Sequence, residues 1–513
     1  MSGESQSSSN KRIAKNTILL YVRMLFTMVV GLFTSRVILQ ALGVEDYGIY
    51  NVVGGVVAMF AVMSGSLSAA VSRFLTYELG RGGGEKLARV FSSAVTIQIF
   101  LALVILFFAE TIGLWFLNTQ MVIPDNRMAA ANWVYQFSFI TFAVNIISIP
   151  YNASIISHEK MSAFAYISIF EVLGKLAISY GVYVSPIDKL IFYGAAMMGL
   201  AVLLRLIYGW YCKKHFKECS YHFVFDKELL KKMFAFAGWN FIGASSSVLR
   251  THGGNILINL FYGPGVNAAR GIATQVYTAI QGFVSNFQTA VKPQITKNYA
   301  AENYGRMMTL IFQGSKFSFF IMLFLSLPVL IMTPYLLEAW LGQVPEYCII
   351  FVRLALVYAL LDSMSGLLVT AMLATGDIRN YQLVVGGIQL MNVPVSYVCL
   401  KCGAAPECIY LVAILLTFCA EMARLLMLRK MIRLNALAFL KKVYFKVIIV
   451  GALSAILPAV LYSYLDCSFI SFALTGVVSV LCTFLVVYSI GLDHAERQIV
   501  GAQVKKIIEK VRK

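Results

Sequence analysis

The stretch NTILLYVRMLFTMVVGLFTSRVILQALG, residues 16–43, is almost wholly apolar, and residues 16–41 hold only two charged side chains, Arg23 and Arg36. A helix of about 20 apolar residues crosses the roughly 30 Å of hydrocarbon in a bilayer. Similar runs recur along the chain, which has 513 residues, 59% of them hydrophobic and 13% charged. Soluble domains carry about a quarter charged residues. The sequence therefore predicts an all-α polytopic membrane protein.

The apolar runs and the charges between them predict a topology. We expect 14 transmembrane helices, at residues 16–41, 49–76, 88–118, 129–156, 162–185, 188–212, 230–262, 266–292, 306–338, 346–375, 380–401, 407–430, 443–465 and 469–491. Lysine and arginine gather in the even-numbered loops, as in RGGGEKLAR at 81–89, whereas the odd-numbered loops are mostly acidic. By the positive-inside rule both termini are cytoplasmic. The net charge of +18 thus comes mainly from loops and tails on the cytoplasmic side. The sequence has no surface of basic and aromatic residues of the kind that binds nucleic acid.

An internal repeat divides the chain. Three pairs of segments match at an offset near 220 residues: 70–76 with 290–296, 42–48 with 262–268, and 152–160 with 370–378. An even number of helices in each unit keeps its orientation, so we expect two parallel six-helix lobes and an additional C-terminal helix pair. The predicted parts are an N-terminal tail (1–15), an N-lobe with helices 1–6 (16–213), a linker (214–229), a C-lobe with helices 7–12 (230–432), helices 13–14 (433–491) and an amphipathic cytoplasmic tail (492–513).

Basic residues inside the predicted spans need an explanation, because each costs about 2.5–3.5 kcal/mol at the centre of a lipid-facing helix. Ten remain once the bases counted with the loops at the span ends are set aside: Arg23, Arg36, Arg73, Lys175, Arg205, Arg250, Arg270, Lys316, Arg353 and Arg424. Two of them have an acid at helical spacing, Lys175 with Glu171 and Arg424 with Glu421, and we interpret both pairs as structural. Arg36, Arg73 and Arg205 lie near span ends, where their long side chains can reach the membrane–water interface. Lys316 and Arg353 have no acid nearby in sequence.

Polar residues recur every three to four positions in several spans, so that they share a helix face. Span 1 has Arg23, Thr27, Gly31 and Thr34; span 7 has Asn240, Gly243, Ser247, Arg250 and Gly254; span 8 has Arg270, Thr274, Tyr277, Gln281, Ser285, Gln288 and Lys292. Tight helix packing explains stripes of serine and glycine. Faces that also carry arginine, glutamine and asparagine favour a hydrated, central cationic cleft. Arginine suits phosphate through its planar, bidentate donors.

We therefore predict a substrate-binding cavity that contains Arg23, Arg250, Arg270, Gln281, Gln288 and Asn240. His252 is a candidate for proton coupling, although it points to a different helix face from Arg250. The sequence predicts no catalytic residues, cofactor or metal site, since no nucleotide-binding loop or zinc motif is present. Cys399, Cys402 and Cys408 are either small apolar residues or partners in a disulfide.

The end of span 1 and the loop after it carry the pattern S-R-x-x-L-x-x-L-G-x-x-x-Y-G, here Ser35, Arg36, Leu39, Leu42, Gly43, Tyr47 and Gly48. In this pattern, its most specific part, the chain resembles polysaccharide flippases of the Wzx type, in the multidrug/oligosaccharidyl-lipid/polysaccharide (MOP) exporter superfamily. The resemblance implies two lobes that open alternately to each side of the bacterial inner membrane. It also implies a substrate of undecaprenyl pyrophosphate carrying an oligosaccharide for O-antigen, capsule or exopolysaccharide synthesis. Arg23, Arg250 and Arg270 match the basic cavity residues expected in such proteins.

The same resemblance implies partners: H⁺ or Na⁺ as a coupling ion, a polysaccharide polymerase and a chain-length regulator. Three other functions stay open at this point. An ion-coupled multidrug exporter would share the fold but would favour an acidic cavity. A membrane glycosyltransferase or polymerase would need a large outer loop with a catalytic carboxylate, and a scaffold would have little use for arginine in the membrane.

Overall fold

The computed structural model describes residues 6–58, 61–120, 123–223, 226–341, 344–465, 469–493 and 496–497, and these residues contain helices but no strand. The helices are α1 (Gln6–Ala58), α2 (Ala61–Gly80), α3 (Glu85–Phe108), α4 (Leu114–Gln120), α5 (Met128–Ser157), α6 (Met161–Gly181), α7 (Lys189–His215), α8 (Lys227–Ala300), α9 (Tyr304–Ile331), α10 (Thr333–Leu341), α11 (Cys348–Asp362), α12 (Ser365–Thr375), α13 (Arg379–Leu390), α14 (Asn392–Lys401), α15 (Cys408–Ile432), α16 (Ala436–Phe439), α17 (Lys446–Tyr464) and α18 (Phe469–Val486). The predicted all-α membrane fold is confirmed.

Ten helices within the described residues are long and apolar enough to cross a membrane, and α11 with α12 forms an eleventh span that is bent by 40°. The other predicted spans are span 2, which corresponds to the end of α1 and to α2, and spans 7 and 8, which form the two parts of α8. Spans 7 and 8 carry two of the three polar stripes, and their polar residues lower their hydropathy. Span 1 carries the third stripe and is still apolar enough to be identified by hydropathy.

The helical segment α8 contains two antiparallel spans. It has 74 residues, so as one straight rod it would be about 110 Å long. The Nη1 of Arg270 donates to Oδ1 of Asn255 at 2.7 Å. These residues are 15 apart, which is about 22 Å along a straight helix. The chain therefore turns back between them, as the predicted spans 7 and 8 require.

A similar turn lies within α1, where Gly43 has a φ of 82° and a ψ of 171°. Residues with a side chain rarely adopt a φ in this range. The glycine separates the apolar helix that begins the chain from the segment that leads into α2. It falls in the predicted loop between spans 1 and 2.

The described chain forms two compact units. Unit 1 comprises Met1–Ser245, Thr289–Met307 and Leu373–Gln382, and unit 2 comprises Ser246–Gln288, Met308–Met372 and Leu383–Lys513. The core of unit 1 includes Leu117, Tyr135 and Phe139, all buried. The core of unit 2 includes Phe351 and Leu356. The predicted division into lobes at 213–230 stays a prediction, and the tail from residue 498 lies outside the described residues.

Two embedded basic residues of unit 2 form ion pairs, one that local spacing predicts and one that it does not. The predicted pair of Arg424 with Glu421 forms at 2.5 Å. Lys316, which is 2% exposed, binds Asp493 and Glu496 at 2.9 Å each. These two acids follow the last helix and connect it to α9.

Two further embedded basic residues are also placed. Lys175 binds Glu171 at 2.6 Å in unit 1, as predicted. The Nε of Arg353 in unit 2 donates to the Leu330 carbonyl at 3.2 Å. The thiols of Cys399, Cys402 and Cys408 are free.

Glu159 is a buried acid of unit 1 that binds several side chains. Its side chain is 2% exposed, and its carboxylate lies 2.7 Å from both Arg12 and Lys297. Gln294 donates to the same carboxylate at 2.6 Å. The backbone carbonyl of Glu159 accepts a hydrogen bond from Asn16 at 3.3 Å. The residue has a φ of 59°, in a region that residues other than glycine seldom adopt. Glu159 therefore connects the end of α5 to α1 and α8.

Replacing Glu159 with alanine should strongly destabilise unit 1, because two bases would lose a buried counter-charge. Loss of one partner of a buried ion pair costs about 3–5 kcal/mol, and the partial exposure of Arg12 reduces this to about 2–4 kcal/mol. Thermal unfolding of the purified protein in detergent measures the change. Glu85→Ala, which removes an exposed pair with Arg89, serves as the control and should shift the midpoint little. Equal midpoints for the two variants would contradict this role of Glu159.

Arg127 connects two loops of unit 1 through carboxylates, at 2.6 Å from both Asp46 and Asp188. Asp188 also caps α7, where its side chain accepts from the backbone N–H groups of Leu190 and Ile191. Burial alone would raise the pKa of Asp188, but the hydrogen bonds from Arg127 and from the backbone outweigh it and lower that pKa.

A lowered pKa makes the contribution of Asp188 to stability depend on pH. The contribution is fully present above the unfolded-state pKa of about 3.9 and is lost as the pH falls through the lower folded-state pKa. Asp188→Asn keeps an oxygen for the cap but removes the charge. We expect the variant to be less stable at pH 7 and the difference to close below about pH 4. Thermal unfolding of both proteins across this range measures it; a constant difference would refute the linkage.

Candidate functional site

A cavity of about 270 Å³ lies within unit 2. Its walls come from α8, α11, α14 and α15, and the residues that line it are Arg250, Arg270, Thr274, Tyr277, Ala355, Tyr358, Asn392, Ile409, Tyr410 and Ala413. Two of these described residues are basic and none is acidic. Most of the others are phenols or polar groups without charge. The cavity is therefore cationic and offers many hydrogen-bond donors.

Arg250 is held by an aromatic ring and not by an acid. Its Nη1 donates to the hydroxyl of Tyr358 on α11, and its guanidinium lies 5.0 Å from the centre of the same ring. Its Nε is buried and has no hydrogen-bond partner among the residues that the structure describes. Asp362 is close enough to influence Arg250 electrostatically. Among the described residues, however, no carboxylate approaches Arg250 within ion-pair distance.

Arg270 is held in a similar way. It is 8% exposed; its Nη1 donates to Asn255 at 2.7 Å, and its guanidinium lies 5.9 Å from the ring centre of Tyr410. The Nε of Arg270 is also buried, and it has no hydrogen-bond partner in the described part of the chain. Gly254 makes room for the group, because a Cβ there would lie 2.5 Å from both terminal nitrogens.

This arrangement can bind an anion. A buried and a partly buried guanidinium group share one small cavity, and within the described part of the chain neither forms an ion pair with a carboxylate. The planar donors of arginine match phosphate oxygens in pairs, and such charge-assisted bonds are about twice as strong as neutral ones. Phosphate or diphosphate is the ligand class that these residues suit best.

Among the predicted site residues, the structure brings together Arg250 and Arg270, with Thr274 and Tyr277 of the same predicted stripe. Gln288 is buried and donates to Ser318 at 3.2 Å and to the Ser363 carbonyl at 2.9 Å. It thus joins α8 to neighbouring helices and does not line the cavity.

The remaining predicted residues lie elsewhere. Gln281 has a buried Oε1 without a partner, but it is not among the residues that line the cavity. Asn240 and Arg23 belong to unit 1. Asn240 donates to the Ser66 carbonyl at 3.5 Å, and Arg23 donates to Ser168 at 3.5 Å. The side chain of His252 lies outside the described residues, so its role stays a prediction.

Sequence reasoning missed Tyr358, Tyr410 and Asn392. Neither tyrosine lies on one of the predicted polar stripes, and a single phenol is common in membrane helices. Asn392 was easier to identify, because it lies two residues before Pro394 in the middle of a span. An amide so close to a proline at that depth could have been named as a candidate site residue.

Gly253 brings α8 close to α14, where a Cβ would lie 2.6 Å from Cγ2 of Val393. Valine is stiff, so Gly253→Ala should force the helices apart and destabilise the protein by about 1–3 kcal/mol. Gly271 on the same helical segment has nothing within 4 Å of an added Cβ. Gly271→Ala should therefore leave stability unchanged or raise it. Thermal unfolding of both variants decides; an equal response would show that the contact at Val393 does not control the packing.

A family model described as "Polysaccharide biosynthesis protein" matches residues 13–299, which is more than half of the chain. The chain belongs to this family of membrane proteins. No curated protein matches it.

Solved structures show the same fold. An outward-facing multidrug resistance MATE family transporter of the MOP superfamily superposes with a TM-score of 0.72 at 13% identity, over 83% of this chain and 96% of that one. A MATE protein in complex with MaD3S gives 0.71 at 14% identity, over 84% and 97%. A MOP superfamily transporter from Pyrococcus furiosus, for which a reversed polarity of the binding pocket is described, gives 0.65 at 14% identity, over 83% and 96%. Family and fold are those of a multi-pass membrane transporter.

Proposed function

We propose that this protein is a flippase that moves lipid-linked oligosaccharides across the bacterial inner membrane. Membership of the polysaccharide biosynthesis family supports a carbohydrate pathway, and the transporter fold supports translocation without chemistry on the substrate. The observation that carries the proposal is the pair Arg250 and Arg270, two guanidinium groups that line one cavity and are held by neutral partners.

In this proposal the two arginines bind the pyrophosphate of an undecaprenyl-pyrophosphate oligosaccharide. The cavity of about 270 Å³ is slightly smaller than the roughly 300–1,000 Å³ typical of ligand pockets. It therefore suits a head group and not a whole oligosaccharide. The lipid tail stays in the bilayer, where its apolar surface needs no protein cover. Alternating access of the two lobes then delivers the head group from the inner to the outer leaflet.

The distribution of charged loops supports the orientation that goes with this function, with both termini in the cytoplasm. Coupling to H⁺ or Na⁺, and co-operation with a polymerase and a chain-length regulator, are parts of the same proposal. His252 is the candidate for proton coupling. Arg23, Asn240, Gln281 and Gln288 remain candidates for later steps of the transport cycle.

A multidrug exporter of the same fold is the alternative, because MATE transporters share it. A cationic drug would have to enter a cavity whose described lining has two positive charges and no acid. Each like charge at close range opposes such binding in a medium of low dielectric constant. The cavity favours an anionic lipid head group over a cationic drug.

Translocation of a fluorescent undecaprenyl-pyrophosphate oligosaccharide in proteoliposomes tests the proposal. Arg250→Ala removes one charge-assisted contact, which is worth about 1.5–3 kcal/mol, so we expect flipping to fall at least tenfold at matched protein insertion. Arg353→Ala is the matched control, since Arg353 is also embedded but donates to the Leu330 carbonyl outside the cavity. It should retain most of the activity.

The outcomes separate the function from the role of the residue. Flipping by the wild-type protein that survives Arg250→Ala would keep the function and make Arg250 structural. Absence of flipping by the wild-type protein with a lipid-linked substrate of its host would reject the proposal. Export of cationic dyes by that same preparation would favour the drug exporter.

A further inference from the structure

The helix that forms one wall of the cavity has a proline near its middle. The span Arg379–Lys401 comprises α13, which ends at Leu390, and α14, which begins at Asn392. The residue between them keeps helical backbone angles, so the two parts form one continuous span. Pro394 has no backbone N–H, so the Leu390 carbonyl lacks its usual helical donor at this depth.

Asn392 is the first residue of α14, and it lines the cavity together with the two arginines. It is 2% exposed, and its Nδ2 has no hydrogen-bond partner among the described residues. A buried donor left unsatisfied costs about 1–3 kcal/mol. Such groups are rare in folded proteins and ask for an explanation. A bound ligand that accepts a hydrogen bond from Nδ2 supplies one.

The chemistry of Asn392 differs from that of its basic neighbours. The guanidinium groups of Arg250 and Arg270 attract negative charge, whereas an amide carries none and donates to any well-placed oxygen. A cavity with cations on α8 and a free neutral donor on α14 has two kinds of subsite. A phosphate linked to a sugar has two matching parts, since its phosphate is anionic and its sugar presents hydroxyl and carbonyl oxygens.

We propose that Asn392 binds an oxygen of the sugar next to the phosphate and thereby selects sugar-bearing lipids over the bare lipid diphosphate. This inference rests on the proposed function, because it assigns the second part of the same substrate. The arginines hold the diphosphate in both lipids, and only the sugar-bearing lipid satisfies the amide of Asn392. Asn392 is thus a specificity-determining residue of the cavity.

Ser396 provides a matched control. It lies one turn after Asn392 on α14, it is fully buried, and its Oγ also lacks a partner among the described residues. It is not among the residues that line the cavity. If an unsatisfied polar group on this helix only affected folding, substitution at either position would have similar effects.

Binding to the full-length protein in lipid nanodiscs tests the inference with two probes. One is farnesyl diphosphate, and the other is the same lipid diphosphate carrying a single glucose or N-acetylglucosamine. Asn392→Leu keeps the shape of the side chain but removes the donor. We expect it to weaken binding of the sugar-bearing probes by about five- to tenfold, the worth of one hydrogen bond. Binding of farnesyl diphosphate should change less than twofold, and Ser396→Ala should bind all probes like the wild type.

Retained binding of farnesyl diphosphate by Asn392→Leu also shows that the variant is folded. Equal weakening for all probes would overturn the inference, because Asn392 would then serve the anion site or the fold. Unchanged binding of all probes by Asn392→Leu, together with their loss in Arg250→Ala, would overturn the sugar subsite and leave the proposed function standing. Failure of the wild-type protein to bind any probe would overturn both.

Discussion

The low dielectric constant of the membrane makes every embedded charge depend on a partner, and the nature of the partner separates structural from functional residues. Lys316 has two carboxylates, and Arg424 has Glu421, which is also bound by the hydroxyl of Tyr444. Asp493 also binds Lys446, so each of these groups has as many basic as acidic side chains, and it holds helices together. Arg250 and Arg270, in contrast, have phenol and amide partners. Their positive charge is therefore not neutralised within the cavity, and an anion can still be bound there.

Whether an ion pair could be predicted from the sequence depends on how far apart its partners lie along the chain. The pair Glu421 and Arg424 was predictable because helical spacing places the two residues on one face. The acids that bind Lys316 lie 177 and 180 residues away, and no local pattern connects them. The same limit applies to Glu159, because its two bases, Arg12 and Lys297, lie far from it along the chain. Long-range pairing depends on helix packing, which periodicity does not specify.

The candidate site was predictable in part for the same reason. The stripe on the second span of α8 placed Arg270, Thr274 and Tyr277 on one face, and all three line the cavity. The stripe continues to Gln288, but there neighbouring helices cover it and supply hydrogen bonds. A helix face can therefore line a cavity over two turns and be packed over the next. Where that change occurs depends on neighbours such as Gly366, where a Cβ would lie 2.0 Å from the Gln288 side chain.

Neutral partners also explain how a cavity with two guanidinium groups can exist without a ligand. The ring of Tyr358 offers Arg250 its electron-rich face and its hydroxyl oxygen, and both interactions stabilise a cation without neutralising it. Asp362 adds an attractive field from beyond ion-pair distance, and its carboxylate accepts a hydrogen bond from Ser365. A carboxylate in direct contact would compete with an incoming phosphate for the same donors. Phenols at contact distance and an acid further away stabilise the arginines while leaving donors such as the two buried Nε groups for the substrate. This balance between stability and unsatisfied binding capacity is what a site must have if it is to take up an anion on one side of the membrane and release it on the other.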